Sequence, residues 1–417
     1  MLKSVSSMET YKTEFAQVKL LVIHQNFPGQ FRHVALEAVR RRCEVVAIGR
    51  DTAPGLEGVK LFRYRTSRTR QTDIQAYLRT YDDAVTDGRK VYQILKTLKL
   101  EDYRPDVILA HPGWGESLFI KDVYPDVPLI HFCEFYYRAH GADSGFDPEF
   151  PSVDEECSRL RVLNSMHLLN LEQCDIAIAP KQWQRSLFPA AYHSKIQVIH
   201  EGVIRKYSSQ RVDSLTLPSG HVLKAGQPIV TYVARNLEPY RGFHSFMRAI
   251  PHIQAECPEA QIVIVGGDEV SYGRMPIGYP NWRSRMAAEV DLDSCNVHFS
   301  GRLPYQKYRA VLELSKAHVY LTYPFVLSWS LLEAMASGCI VIASDTAPLR
   351  EVILDGVNGV LVDFFDYKAI AKRVTNVLQD DREFQSLGES AKLTASKFDV
   401  VNGLKGYFEI FDGLISR

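Results

Sequence analysis

Residues 323–366 read YPFVLSWSLLEAMASGCIVIASDTAPLREVILDGVNGVLVDFFD. The stretch divides into a strand end, a loop, a helix, a second strand and a further helix. CIVIAS is an unbroken apolar run, the pattern of a parallel strand whose sheet is covered by helices on both faces. The helix before it is apolar apart from one acid, Glu333. A carboxylate in that setting needs partners: either protein donors satisfy it, or it faces a ligand. Ser328, Trp329 and Ser330 begin the helix, where unpaired N–H groups and positive potential favour phosphate. Glu333 lies about one turn further in, placed to accept hydrogen bonds from a ribose diol. Both readings of the acid stay open at this point.

The same alternation runs outward in both directions. PIVTYV, AQIVIVGG, NVHFSG, AHVYLTYP, CIVIASD and NGVLVDF alternate with helical segments, and VKLLVI, CEVVAIG, DVILA, VPLIHF and CDIAIA do the same nearer the N-terminus. Two such halves predict an α/β protein of two Rossmann-like, doubly wound domains facing across a cleft, with ligands outside the carboxyl ends of the strands. The 417 residues fit two domains at roughly 100 to 200 residues each. The pattern places a poorly ordered leader at 1–17, an N-terminal domain at 18–205 and a C-terminal domain at 228–395. Between them, over 206–227, Gly, Ser and charge replace apolar periodicity and mark the linker and domain entry. Residues 396–417 read as a final helix crossing back toward the N-terminal domain.

Composition narrows the class. With 46% hydrophobic and 24% charged residues and no low-complexity tract, the chain is a packed globular protein rather than a disordered one. Lys plus Arg equals Asp plus Glu at 49 each, which argues against a nucleic-acid partner. One local basic cluster, Arg63, Arg65, Arg68 and Arg70, reads either as a solvated loop or as a contact for an acidic acceptor or an anionic lipid surface. The seven cysteines are scattered without a CxxC, so neither a disulfide framework nor a zinc site is expected and a reducing cytoplasm fits. No segment approaches the ~18 apolar residues that span a bilayer. Membrane contact is therefore expected to be peripheral, at the inner face.

Four strand ends in the C-terminal half carry chemistry. YVARNLEPYRGF offers Arg235 and Arg241 beside a helix start, a combination suited to a diphosphate because guanidinium supplies forked donors. Gly266 and Gly267 end a buried strand and permit either close ligand approach or a tight turn. Arg302 and Leu303 end another strand, where backbone groups can bind a flat base. Ser328, Trp329, Ser330 and Glu333 form the fourth.

Together these residues resemble the family 4 glycosyltransferases of the GT-B fold. The resemblance spans residues 18–395 and is most specific over Leu331 to Val362. HQNFPGQFRHVA, HEGVI and ARNLEPYRG resemble, more weakly, the family's N-terminal glycine loop, the element entering its linker and its phosphate-binding Arg and Lys element. By that resemblance Glu333 is the second acid of the family's Glu-seven-residues-Glu motif and contacts the ribose. Gly29 lies near the phosphates and acceptor, followed by His33. His111, Glu116, Glu134, Tyr136 and Tyr137 lie at or beyond strand ends, with the loop GADSGFDPEF as a further acceptor-side segment. Where the family often carries a cleft histidine, Glu134 aligns, with His131 just before it. The departures are specific: Phe325 stands at the first motif Glu, Ser328 at the loop Gly, and Arg241 where Lys is usual.

The resemblance implies a retaining, nucleotide-sugar-dependent transferase with a UDP- or GDP-sugar donor and a glycan, lipid-linked or metabolite acceptor. It implies no cofactor and no metal, the leaving diphosphate being stabilised by Arg235, Arg241 and a helix dipole, with Glu134 in the catalytic set. Two rivals stand beside it. A non-catalytic nucleotide-sugar binder is motivated by Phe325. An NAD-dependent oxidoreductase is motivated by Gly113 and Gly115 after a strand with Glu134 beyond them. A metal site at Asp291 to Asp293 is weaker, since paired acids in exposed connections are common.

Overall fold

The computed structural model describes residues 18–66, 74–152, 155–205, 212–293 and 295–416. The leader 1–17, Arg68 and Arg70 of the basic cluster, and 206–211 of the linker lie outside them.

The first sheet has seven parallel strands: β1 (Lys19–Ile23), β2 (Glu44–Arg50), β3 (Lys60–Tyr64), β4 (Val107–Ala110), β5 (Leu129–Phe132), β6 (Ile176–Ala179) and β7 (Ile196–Val198), in the order β3-β2-β1-β4-β5-β6-β7. The strand period of two explains why both faces are apolar. In β1, Leu21 and Ile23 enter one core with Val91 and Leu95, while Leu20 and Val22 enter another with Phe31 and Val34.

A hairpin follows, β8 (Ser214–Thr216) with β9 (Val222–Lys224). Its Leu217 and Leu223 pack with Ile229, Val263 and Val311, so residues 214–224 belong to the C-terminal domain and are not a free linker. Glycine and serine there serve a tight turn at Ser219 and Gly220 rather than interdomain freedom.

The second sheet has six parallel strands: β10 (Ile229–Asn236), β11 (Gln261–Gly267), β12 (Val297–Phe299), β13 (Ala317–Tyr320), β14 (Ile340–Ser344) and β15 (Val360–Val362), ordered β12-β11-β10-β13-β14-β15. Strand order reverses at β1/β4 in the first sheet and at β10/β13 in the second, and crevices for ligands open at such points.

The helix Val400–Ile415 places Tyr407, Phe408, Phe411 and Leu414 against the first sheet. The chain therefore crosses between domains twice, and the crossings touch. Val203 N–H donates to Phe398 O at 2.9 Å and Val400 N–H to Val203 O at 3.2 Å. Gly202, at φ +85°, would put a β-carbon 2.3 Å from Val400 Cα, so only glycine permits the crossing. No helix among the described residues is long and apolar enough to cross a membrane.

Candidate active site

Arg241 follows β10 and is buried. Its Nη1 donates to Thr322 Oγ1 at 2.9 Å and Val326 O at 2.8 Å, just after β13, so it sits at the switch point of the second sheet. The guanidinium lies over the rings of Tyr272 (5.2 Å) and Phe325 (5.7 Å). No carboxylate lies within ion-pair distance of it among the described residues. A buried cation with only neutral acceptors and ring faces is poised for an anion. Arg235 is exposed at the end of β10, and no ion pair engages it among the described residues.

The helix Trp329–Ser337 starts beside these groups. Ser328 N–H donates to Tyr320 Oη at 2.8 Å, and Ser328 Oγ bonds Ser330 Oγ at 2.5 Å. This corrects the expectation that the Ser328 N–H is open to phosphate. The N–H groups of Trp329 and Ser330 are first-turn groups, which have no acceptor within their own helix.

Glu333 is buried and fully engaged. Tyr305 Oη donates to its Oε1 at 2.5 Å, Tyr308 Oη to its Oε2 at 2.7 Å, and Arg309 Nη1 stands 3.7 Å away. Of the two hydroxyl donors, Tyr305 is the more exposed, at 39%, and Tyr308 is half-buried. Arg309 also donates to the carbonyls of Ile204 (2.9 Å) and Arg205 (3.0 Å), tying the acid's surroundings to the interdomain crossing. Tyr305, Tyr308 and Arg309 went unread in the sequence because YQKYRAVLEL looks like an ordinary amphipathic helix.

Gly266 and Gly267 answer to packing within the domain. A β-carbon on Gly266 would lie 2.8 Å from Ala234 O, and one on Gly267 2.6 Å from Asn236 Oδ1. Arg302 donates to Asn236 Oδ1 (2.8 Å) and Glu269 Oε2 (2.7 Å), and the Leu303 side chain packs against the core beneath β10 and β11.

Across the cleft, Glu134 follows β5 and is half-buried. Gln30 Nε2 donates to its Oε1 at 2.7 Å, and His111 Nε2 lies 3.3 Å from its Oε2. The Gly113 N–H points to His111 Nδ1 at 3.1 Å, which leaves the Nε2 proton for Glu134. His24 is neutral, its pKa pushed down to about 3 by burial and by His111. It accepts from Asn26 N–H at 3.0 Å and so donates through Nε2 to Gln30 Oε1 at 2.7 Å. Burial opposes the charge on Glu134, but the His111 and Gln30 hydrogen bonds outweigh it and hold the carboxyl below its ordinary value. The result is an oriented carboxylate at the switch point of the first sheet. Gly29 (φ +47°) lies so close over His24 that a β-carbon would sit 2.4 Å from the imidazole.

His33 stacks on Trp329 with centroids 5.5 Å apart, joining the two domains. Tyr136 packs against Phe188 and His167, and Tyr137 is held by Asn164, inside the N-terminal domain. Glu116 is buried under the Tyr64 hydroxyl at 2.5 Å, with its carboxyl raised by burial.

Phe325 is buried between the domains, 4.7 Å from Phe135, 4.9 Å from Tyr272 and 5.3 Å from Tyr240 by ring centroids. The loop GADSGFDPEF, expected to line an acceptor site, instead clasps the C-terminal domain. Asp143 accepts from Tyr240, Asp147 from Tyr323 at 2.6 Å, and Glu149 pairs with Arg248. Phe146 and Phe150 pack on the C-terminal core. The clasp was not legible in the sequence, because the partners are more than ninety residues away.

A second buried polar group lies at the domain crossing. Glu201 follows β7, and its Oε1 accepts from Trp329 Nε1 at 2.6 Å. Its Oε2, Lys181 Nζ and Tyr407 Oη are buried without hydrogen-bond partners among the described residues. Burial pushes the Glu201 carboxyl up to about 6 from 4.5, against the opposing hydrogen bond from Trp329. An acid raised in the folded state destabilises only where the unfolded chain is ionised: not below 4.5, increasingly toward 6, fully above. Glu201→Gln keeps an acceptor for Trp329 and is expected to raise stability by up to ~2 kcal/mol at pH 7.5 and to add nothing at pH 4. Urea unfolding at both pH values checks this, and a gain equal at both would refute the assignment.

The oxidoreductase rival loses its main support. Gly115 (φ +101°) packs so tightly on Ala84 that a β-carbon would lie 2.2 Å from its carbonyl oxygen, and Gly113 lies against His111. These glycines serve the fold. Asp291 and Asp293 share a turn, Asp293 N–H donating to Asp291 Oδ1 at 3.0 Å.

Two parallel α/β domains closed on a cleft, with an unpaired arginine and a helix N-terminus on one wall and an oriented carboxylate on the other, define the GT-B class. Comparison with known proteins agrees. Residues 41–207 match the family described as Glycosyl transferase family 4 group, and 216–394 match Glycosyl transferases group 1. The chain belongs to the family 4 glycosyltransferases.

It is 29% identical to the D-inositol 3-phosphate glycosyltransferase of Mycolicibacterium smegmatis over 65% of this chain and 58% of that protein. It is 26% identical to the phosphatidyl-myo-inositol mannosyltransferase of the same organism over 46% of this chain and 50% of that one. A glycosyltransferase of Methanocaldococcus jannaschii is 24% identical over 43% of this chain and 44% of its own length. The chain thus spans about half the length of the curated relatives it matches. The structure of Anabaena HepE in complex with UDP-glucose superimposes with a TM-score of 0.68 at 18% identity, covering 95% of this chain and 99% of that one. Sucrose-phosphate synthase from Thermosynechococcus elongatus gives 0.68 at 18% identity over 96% and 99%.

Proposed function

We propose that the protein transfers a hexose from a UDP- or GDP-sugar to a hydroxyl of a glycan, lipid-linked glycan or metabolite, with retention at the anomeric carbon and without a metal. The observation that carries this reading is Arg241, a buried guanidinium with no carboxylate partner among the described residues, next to a helix N-terminus. A departing diphosphate supplies the missing anion, assisted by Arg235 and the N–H groups of Trp329 and Ser330. Glu134, kept ionised and aimed by His111 and Gln30, stabilises positive charge as the bond from the anomeric carbon to the diphosphate breaks. The acceptor oxygen forms its new bond on that same face, and its proton passes to the departing phosphate oxygen. No side-chain nucleophile is invoked. Relatives named for action on inositol 3-phosphate and phosphatidyl-myo-inositol, and a fold neighbour solved with UDP-glucose, support this class of chemistry.

The test is a thermal-shift panel of UDP, GDP, ADP, dTDP and NAD. A ligand at ~100 times its Kd adds about 2.7 kcal/mol, so one nucleoside diphosphate should raise Tm clearly and Glu333→Gln should shrink that rise. A response to NAD alone, or to none, overturns the reading. A non-catalytic binder of the same ligand is favoured by one observation, the aromatic packing around Phe325. Release of nucleoside diphosphate from the matching donor, with an acceptor present, separates the two.

A further inference from the structure

The segment after β11 presents apolar side chains to solvent in an unusual way. Ile277 is 96% exposed, Met275 48% and Tyr279 42%. Singly exposed apolar residues need no explanation, but a contiguous set does. This set is not the product of a loose loop. At its root Glu238 accepts the N–H groups of Ser271 (3.1 Å), Tyr272 (3.2 Å) and Gly273 (2.9 Å). At its far end Trp282 Nε1 donates to Arg274 O at 2.8 Å, and Asn281 caps the next helix through Ser284 N–H at 2.8 Å. Pro276 and Pro280 stiffen the chain between, and Gly278 turns it at φ +80°. The loop is thus built to hold Met275, Ile277 and Tyr279 outward, with little ordering left to lose on contact.

Charge says what it meets. Residues 270–288 contain Arg274, Arg283 and Arg285 and no acid. Asp268 answers Arg283 at 2.8 Å, whereas Arg274 and Arg285 have no carboxylate within ion-pair distance among the described residues. Apolar and tyrosine side chains at a tip, with cations behind them, match a surface that is greasy within and negative at its edge. The loop also borders the cleft, since Tyr272 touches Phe325 and Tyr240.

We propose that the 274–279 loop docks the protein onto an anionic lipid bilayer, inserting Met275, Ile277 and Tyr279 at the headgroup level and so holding the cleft mouth at the membrane. The inference does not depend on the transferase reading, because docking needs neither donor nor acceptor.

Sedimentation of the full chain with phosphatidylcholine vesicles, with and without 30 mol% phosphatidylglycerol, tests it without any nucleotide present. Binding to the anionic vesicles is expected, weakened at least tenfold by Ile277→Asp and severalfold by Arg274→Glu, with the melting temperature of each variant unchanged. Absence of wild-type binding overturns the proposal. So does binding that survives Ile277→Asp but is lost on Arg65→Ala, which would assign the contact to the basic cluster near β3. A wild-type dimer in solution that Ile277→Asp dissociates, with no vesicle binding, would give the loop to a second copy and equally overturn it.

Discussion

Arg241→Ala is expected to lower transfer by about 100- to 1000-fold, the loss typical of removing one preorganised group that stabilises a leaving oxyanion. The side chain has no carboxylate within ion-pair distance among the described residues, so its charge is available to a ligand. Removal also strips donors from Thr322 Oγ1 and the Val326 carbonyl, a cost of ~1 to 3 kcal/mol in stability if they stay buried. The two effects separate experimentally. Arg241→Lys keeps the charge and loses the fork, so it should bind nucleoside diphosphate more weakly than wild type and more tightly than the alanine variant. Calorimetric titration of the three proteins decides it, and equal affinities would remove Arg241 from the phosphate site.

The second large effect concerns Phe325. Truncation of a buried aromatic side chain to alanine costs about 3 to 5 kcal/mol when the surroundings cannot close up. Here the ring packs between domains, against Phe135 on one side and Tyr240 and Tyr272 on the other. Phe325→Ala should therefore fall at or below the lower end of that range, because two rigid bodies can settle together. It should also leave nucleoside diphosphate affinity within about threefold, since a 1.4 kcal/mol change is tenfold and the ring meets the Arg241 guanidinium only at 5.7 Å, close to the outer reach of a cation–π contact. Chemical unfolding and titration measure the two. A stability loss below 1 kcal/mol would mean that the ring does not hold the cleft closed.

The clasp formed by residues 143–150 gives the same cleft a polar fastening. Asp147 accepts from Tyr323, and His244 Nε2 lies 3.0 Å away. Burial works against the Asp147 charge, yet these two neighbours hold its carboxyl below the ordinary aspartate value. Aromatic packing at Phe325 and the buried carboxylate at Asp147 thus bear on one conformational variable, the closure of the domains. Closure of two domains on a cleft excludes water from it.

Much of this architecture was legible in the sequence. Runs such as KLLVI and IVIAS encode buried parallel strands through composition alone, because a strand covered on both faces has no polar side. Their alternation with helices leaves few topologies, since parallel crossovers are right-handed. The positions of Arg241 and the Ser328–Ser330 turn were legible for the same reason: each lies in the connection that follows a strand, with Glu333 a turn into the helix beyond. Local pattern likewise marked Glu134 beyond β5.

What the neighbours of those residues are was decided only by tertiary structure. Whether Glu333 is open or engaged depends on Tyr305 and Tyr308 arriving from another helix. Whether an acidic loop is solvated or clasped depends on Tyr240, Tyr323 and Arg248 in the other domain. Glycines 113 and 115 resemble a nucleotide fingerprint until Ala84 and His111 are seen against them. The reason is physical: periodicity and turn chemistry are properties of neighbours along the chain, whereas the satisfaction of a buried charge is a property of neighbours in space. Sequence by itself determined two Rossmann-like domains and where their strand ends lie. Only the folded arrangement decided which polar groups at those ends are already partnered and which, like Arg241, have no carboxylate within ion-pair distance among the described residues.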